Sequence, residues 1–262
     1  MGASAIKVWY LQLPDSLQPH ARDMLTIAGQ AAQKANKPLI VHATQLPRAK
    51  EAVAAGAKVL VHSVETAELD DEFIAAARRM ETIVIPTLTV REGYADVGLG
   101  RSPAARYPLE CVDHVTRAKL ERALPEPTRA RLAAAARPGG PWDTQRRTME
   151  VNLRKMRDGG IPIAMGTDAG NPGTAHGPSI YREMEAMQAA GMTARQVLLS
   201  STLIAARAMG READLGSIDI GKHADLTIFD ADPAADIANA RRVHMVVRGG
   251  VPLRRTELLP KQ

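Results

Sequence analysis

Apolar runs and amphipathic stretches alternate through the first 86 residues. Residues 5–11 (AIKVWYL) read as a strand, and residues 19–36 repeat their apolar positions with a helical period. Residues 37–42 (KPLIVH) form a second apolar run ending in His42, followed by a helix over 47–56 stopped by Gly56. Residues 57–62 (AKVLVH) repeat the arrangement and end in His62, a helix covers 70–80, and residues 82–86 (TIVIP) close as a strand at proline. Short apolar strands separated by helices predict a parallel sheet covered on both faces.

The alternation breaks at residue 87. Residues 87–140 begin as a loop around Arg91, Gly93 and Tyr94, continue with one or two helices over 108–137, and end at Pro138-Gly139-Gly140-Pro141. An insertion of that length after a barrel strand predicts a lid or wall over a site. A helix over 142–158 leads back to an apolar run at 161–165 (IPIAM), and helices are expected over 178–190 and 193–209. Beyond Gly210 the pattern turns to short strands at 215–218, 225–230 and 243–248, punctuated by Gly216, Gly221, Asp232-Pro233 and Gly249-Gly250. The expected domains are therefore a barrel-like portion over 1–210, carrying the 87–140 insertion, and a small β portion over 211–262.

Composition narrows the function. The chain has 262 residues, is 45% apolar, and contains no run near the ~20 apolar residues of a membrane span. Its start, MGASAIKVWY, lacks a basic segment leading into an apolar core, and Ile6 stands where a myristoylation site needs Ser or Thr. The expected location is the cytoplasm, with any signal peptide confined to a segment upstream of Met1. A single cysteine, Cys111, excludes an internal disulfide and a cysteine-based zinc site. The net charge is +5, but acids are interspersed with the bases and aromatics make up only 3%, so the basic stretch at 117–147 reads as a solvated helical face. Neither nucleic acid nor membrane is an expected partner; a small molecule is.

The candidate chemistry lies at strand ends. Asp168 follows the 161–165 run in a glycine-rich segment, GTDAGNPGTAHG, and a carboxylate beyond a buried strand is where α/β barrels place their reacting groups. The same Asp could instead cap the following turn. His42 and His62 each end an apolar strand, 20 residues apart, the length of one compact βα unit. Imidazole plus carboxylate is a ligand set for Zn²⁺ or a similar divalent ion. Lys7 lies within the first strand, where a cation must reach solvent, pair, or be chemically altered.

Taken together, IKVWY, PLIVHAT, VLVHS, IPTLT, PIAMGTDAG, AHG and the closing LGSIDIGKHADLTIFDADP resemble the metal-dependent amidohydrolase superfamily, in particular its imidazolonepropionase-like and prolidase-like members. The resemblance implies an α/β fold: a partial TIM-type (β/α)8 barrel, strands four to eight, followed by part of a C-terminal β-sandwich carrying the GKHADL stretch. It implies that Lys7 is the often-carboxylated lysine of strand four, that His42 and His62 are the ligands of strands five and six, and that Asp168 is the aspartate of strand eight. His176 falls where relatives carry a loop residue near substrate. The family's first-strand His-x-His pair has no counterpart, since none of the seven histidines is spaced by two. The sequence thus reads as the C-terminal portion of an amidohydrolase, truncated, with one metal site where the full-length relative has two.

The implied activity is hydrolysis of an amide or cyclic amide C–N bond, other than in ordinary peptide chains. Lys7, His42, His62 and Asp168 would hold one divalent ion, most simply zinc, with Asp168 as general base and then general acid. Two other readings stand beside it: a catalytically inactive remnant, and a Schiff-base lyase using neutral Lys7. Strand edges opened by the absent portion would favour self-association or a homo-oligomer.

Overall fold

The computed structural model describes residues 2–102, 106, 108–110 and 112–258, the Arg255 side chain excepted; Cys111 lies outside the described residues. In chain order the elements are β1 (Ile6–Trp9), α1 (Gln18–Lys34), β2 (Leu39–His42), α2 (Leu46–Ala54), β3 (Ala57–Val61), α3 (Asp71–Arg79) and β4 (Ile83–Ile85). Then come α4 (Val90–Gly98), α5 (His114–Leu120), α6 (Glu126–Ala136), α7 (Pro141–Asp158), α8 (Ser179–Ala189), α9 (Ala194–Ser201) and α10 (Leu203–Ala208). The chain closes with β5 (Leu226–Phe229), a 3-10 turn at Ile237–Arg241, β6 (Val243–Arg248), β7 (Val251–Arg254) and α11 (Arg255–Leu258). None of the described helices is long and apolar enough to cross a membrane.

The chain divides into two compact units. One comprises Met1–Thr87 with Gln145–Ala164, the other Leu88–Thr144 with Met165–Gln262.

The first unit is built on a parallel sheet in the order β1-β2-β3-β4. Its register pairs Lys7 with Ile40, Trp9 with His42, and His42 with Val61. Leu39, Val41, Val59, Leu60 and Ile83 are buried, which explains why these runs carry almost no polar residue. Asp70 caps α3 by accepting from the Phe73 backbone N–H, and the acids of its first turn and arginines of its last complement the helix dipole.

In the segment after β3, Ser63 and Glu65 donate their N–H groups to the Pro86 and Thr44 carbonyls, and beyond them α7 supplies partners from its side chains. Asn152, fully buried, accepts the Leu69 N–H at 2.8 Å and donates to the carbonyls of Val64 and Ala67. One turn on, Lys155 donates to the Leu69 carbonyl.

Several expectations need correction. The 161–165 run is not an extended strand but a single parallel bridge between Ile163 and Val84. Pro162 has no N–H to give; its carbonyl accepts from Val84, and Ala164 returns the bond to the Val84 carbonyl. In the second unit, the Met165 N–H bonds to the Ser200 carbonyl at the end of a helix rather than to a strand. The 215–218 segment is a turn: the Lys222 ammonium gathers the carbonyls of Glu212 and Leu215 and the Ser217 hydroxyl around itself. The helix expected over 193–209 breaks at Thr202 (φ −125°, ψ −88°) into α9 and α10. The loop expected around Arg91, Gly93 and Tyr94 is helix α4. In the tail, β5, β6 and β7 form an antiparallel sheet whose second hairpin turns at Gly249-Gly250, both at positive φ.

Candidate functional site

In the first unit the site begins at the ends of β2 and β3. The rings of His42 and His62 meet edge to face, 4.5 Å between centroids, and Trp9 leans on His42 at 6.2 Å. Lys7 shares the sheet face of Trp9 and His42, one pleat repeat earlier along the strands. His62 lies one residue past β3 at φ +73°, and its N–H is held by the Ile85 carbonyl. Its Nδ1 is 2.6 Å from the hydroxyl of Thr87. With Nδ1–H donating to that oxygen, the ring's lone pair is on Nε2.

Backbone strain marks these positions. Among the described residues, five that are not glycine have positive φ: Asn36, His62, Glu81, Thr87 and Asp168. Asn36 and Glu81 follow the C-caps of α1 and α3, where the left-handed conformation is ordinary. His62, Thr87 and Asp168 instead lie just beyond the apolar runs that lead into them. Thr87 is β-branched and buried, a combination that costs of order 1–3 kcal/mol and persists only where the surroundings hold it. Thr87 was not legible as a site residue; the only signal was a polar residue directly after the strand-closing Pro86.

The histidine pair suits Zn²⁺ or another borderline divalent ion as two of its nitrogen ligands, with the Thr87 contact as the outer hydrogen bond that orients a ligating imidazole. Among the described residues, no three His, Cys, Asp or Glu side chains gather closely enough to hold a metal by themselves. Lys7, on the same sheet face, is a donor of another type that chemical modification would make available to the pair.

Asp168 and His176 belong to the second unit. Asp168 is exposed at φ +52° and opens a tight loop. Within that loop the Gly170 N–H bonds to the Thr174 carbonyl and the Thr174 N–H to the Asn171 carbonyl. Asn171 donates from Nδ2 to both the main-chain oxygen and Oδ2 of Asp168, each at 2.8 Å, and accepts the Tyr94 hydroxyl at 2.6 Å. Tyr94 leans on Trp142, 6.4 Å between ring centroids, and Arg91 lies over the same indole. Burial pushes the Tyr94 phenol above its usual range, the Asp168 carboxylate adds to this, and Arg91 opposes it. The His176 imidazole lies over Gly170, where a methyl group would come within 3.3 Å of Nε2. His176, the 170–175 loop and Lys119, Leu120, Arg122 and Leu124 line a cavity of about 650 Å³.

Helix α4, which carries Tyr94, is anchored by a buried acid. Glu183 of α8 is fully buried and accepts from the Leu88 N–H (2.7 Å), the Thr89 N–H (2.9 Å) and the Thr89 hydroxyl (2.7 Å). Burial pushes its carboxyl up to about 7, although these three bonds pull the other way. The folded chain therefore keeps a proton between pH 4.5 and 7 that the unfolded chain releases. Its contribution is greatest below pH 4.5, falls as the pH rises to 7, and is level above. Denaturant unfolding at pH 5 and pH 8 should differ between wild type and Glu183→Gln by a pH-dependent component of about 3 kcal/mol, present only in the wild type. Parallel pH profiles for the two proteins would refute this.

Comparison with known proteins places these features in a family. The chain is 33% identical over 169 residues to the imidazolonepropionase of Shouchella clausii, a match covering 60% of this chain and 37% of that protein. It is 31% identical over 173 residues to the imidazolonepropionase of Pseudomonas savastanoi pv. phaseolicola, covering 66% and 41%. Among solved structures, a Xaa-Pro dipeptidase with bound methionine in its active site superposes with a TM-score of 0.70 at 22% identity, over 97% of this chain and 55% of that one. Phenylurea hydrolase B does so with a TM-score of 0.64 at 23% identity, over 100% and 55%. The matched region is thus under half of either curated relative and little more than half of either solved chain. At these identities the structures speak for the fold alone, and the parallel βα arrangement fits their TIM-like barrel. The amidohydrolase family model matches residues 13–253, nearly the whole sequence, and the chain belongs to the amidohydrolase family.

Proposed function

We propose that this chain contributes the metal-holding and proton-transferring residues of a hydrolase that cleaves an amide or cyclic amide C–N bond. The observation that carries the reading is the imidazole pair, His42 and His62 at 4.5 Å, with Thr87 orienting His62. Residues 1–210 are the barrel portion, holding strands four to eight of the family's barrel, with 87–140 as a lid; residues 211–262 are part of the β-sandwich. His42, His62 and a carboxylated Lys7, joined by Asp168, are the ligands of one divalent ion, which we take to be zinc. When bound, such an ion polarises the scissile carbonyl and acidifies water.

The protein's own residues do the rest. Asp168 accepts a proton from the attacking water and delivers it to the departing nitrogen, so one carboxylate serves as base and then acid. Thr87 keeps the His62 ring in the tautomer with its lone pair on Nε2. His176, on the loop after Asp168, contacts substrate, and its exposure leaves it open to a ligand.

The names of the relatives supply two probes, a Xaa-Pro dipeptide and an imidazolone propionate. The chain loaded with zinc should hydrolyse one of these or a related N-acyl amino acid, lose the activity to a chelator, and regain it with zinc. Asp168→Ala should lower the rate by about 10²–10⁴-fold, the range of a general acid–base contribution. Turnover that survives chelation, or a folded zinc-loaded chain inert toward every probe, would contradict the assignment.

A further inference from the structure

The loop after Asp168 is held by contacts that the family assignment does not explain. Helix α4 meets it backbone to backbone. A Cβ on Gly93 would lie 2.7 Å from the Pro172 carbonyl oxygen, and one on Gly173 would lie 2.5 Å from the Gly93 carbonyl oxygen. This glycine-to-glycine approach brings the next residue of α4, Tyr94, within hydrogen-bond reach of Asn171.

Asn171 is a two-sided connector. Its Oδ1 accepts the Tyr94 hydroxyl, and its Nδ2 donates to the main-chain oxygen and to Oδ2 of Asp168. The opposite amide orientation would set Oδ1 against two oxygen acceptors of Asp168, so the network determines which way the amide faces. The Tyr94 ring is braced by Trp142, which Arg91 covers in turn. A carboxylate whose backbone is already at φ +52° thereby receives a donor from Asn171 on Oδ2.

We propose that Asn171 and Tyr94 are positioning residues for Asp168: Asn171 fixes the orientation of the carboxylate, and Tyr94 fixes the orientation of Asn171. The proposal rests on the reading of Asp168 given above. A donor on Oδ2 keeps the carboxylate from rotating between its two uses, as base and as acid. It also accounts for a tyrosine on a helix that packs through glycine, because only a backbone-to-backbone approach brings the phenol this near the loop.

The test uses the full chain and two readouts. The first is the side-chain amide resonance of Asn171 in a ¹H–¹⁵N spectrum, identified by its loss in Asn171→Asp. Tyr94→Phe, which keeps the ring and removes one hydroxyl, and Asp168→Ala should each shift that resonance. If neither moves it, the connection is absent and the proposal falls. The second is zinc affinity by competition with a chelator. Asn171→Asp keeps the side-chain shape but replaces the donor by an acceptor, and should weaken zinc binding about ten- to hundred-fold, as the loss of a hydrogen bond behind a metal ligand does. Tyr94→Phe should weaken it less, with the thermal melt unchanged in both. Zinc affinity within twofold of wild type in both variants, in a protein where Asp168→Ala does weaken zinc, would overturn the positioning role. If Asp168→Ala leaves zinc binding untouched, the assignment of Asp168 as a ligand fails instead, and the amide resonance alone decides whether the connection stands.

Discussion

Asn152→Leu is expected to destabilise the first unit by about 4 kcal/mol, most of a typical domain's margin. Asn152 is fully buried and is the hydrogen-bond partner of three backbone groups in a segment without strand pairing. Leucine of similar size fills the space but leaves the Leu69 N–H and the Val64 carbonyl without their partner. Leu69 and Val64 are themselves buried, and each stranded group costs about 1–3 kcal/mol. The Ala67 carbonyl belongs to an exposed residue and can turn to water, so it adds little. Asn152→Asp keeps the acceptor for Leu69 but sets a fully buried carboxylate against the Val64 and Ala67 carbonyl oxygens, so its loss should be at least as large. Chemical denaturation of the two variants, with hydrogen exchange at Leu69 as the local probe, checks the order. A leucine variant as stable as wild type would show that the 63–70 segment does not depend on Asn152.

Gly173→Ala should be nearly as damaging to the second unit, and for a different reason. Gly173 is at φ +71°, a conformation costing an L-residue about 1–2 kcal/mol, and its Cβ would press on the Gly93 backbone. Neither neighbour is the far end of a flexible side chain, so the overlap is relieved only by moving α4 from the loop, at a further cost of about 1–3 kcal/mol. The expected total is about 4 kcal/mol. Gly177→Ala is the control, since it shares the positive φ (+85°) but has open space around its Cβ. It should cost only the conformational part. Equal losses in the two variants would mean that the close approach contributes nothing.

Much of the first unit was legible because β2, β3 and β4 set many of their residues in the core. An apolar run such as 39–42 or 57–61 has no other stable use, and a histidine ending it stands out. His42 and His62 were placed from that pattern, and the structure sets their rings in contact. The outer hydrogen bond to His62 was invisible, since nothing in IPTLT announces that Thr87 adopts a positive φ. Helix α4 was hidden because Gly93 and Gly98 weaken helix propensity, and what they permit, close packing against the loop and α6, depends on residues distant in sequence. The 161–165 run was overread: its apolar character reflects burial, while Pro162 and the helix carbonyl that takes Met165 leave it only one bridge. Nothing in the 142–158 run marks Asn152 and Lys155, because a sequence pattern cannot tell a solvated face from one that satisfies buried backbone.

The central claim is that His42 and His62, with Lys7 and Asp168, hold a divalent ion. The most direct measurement is elemental analysis of the folded chain after loading with zinc and removal of the excess, repeated for His42→Ala and His62→Ala. The account predicts about one ion per wild-type chain and close to none in either variant, with unchanged melting in the metal-free state, since a site of so few protein ligands does not survive losing one. Two tightly held ions per chain, or a wild-type level of zinc in both variants, would contradict it.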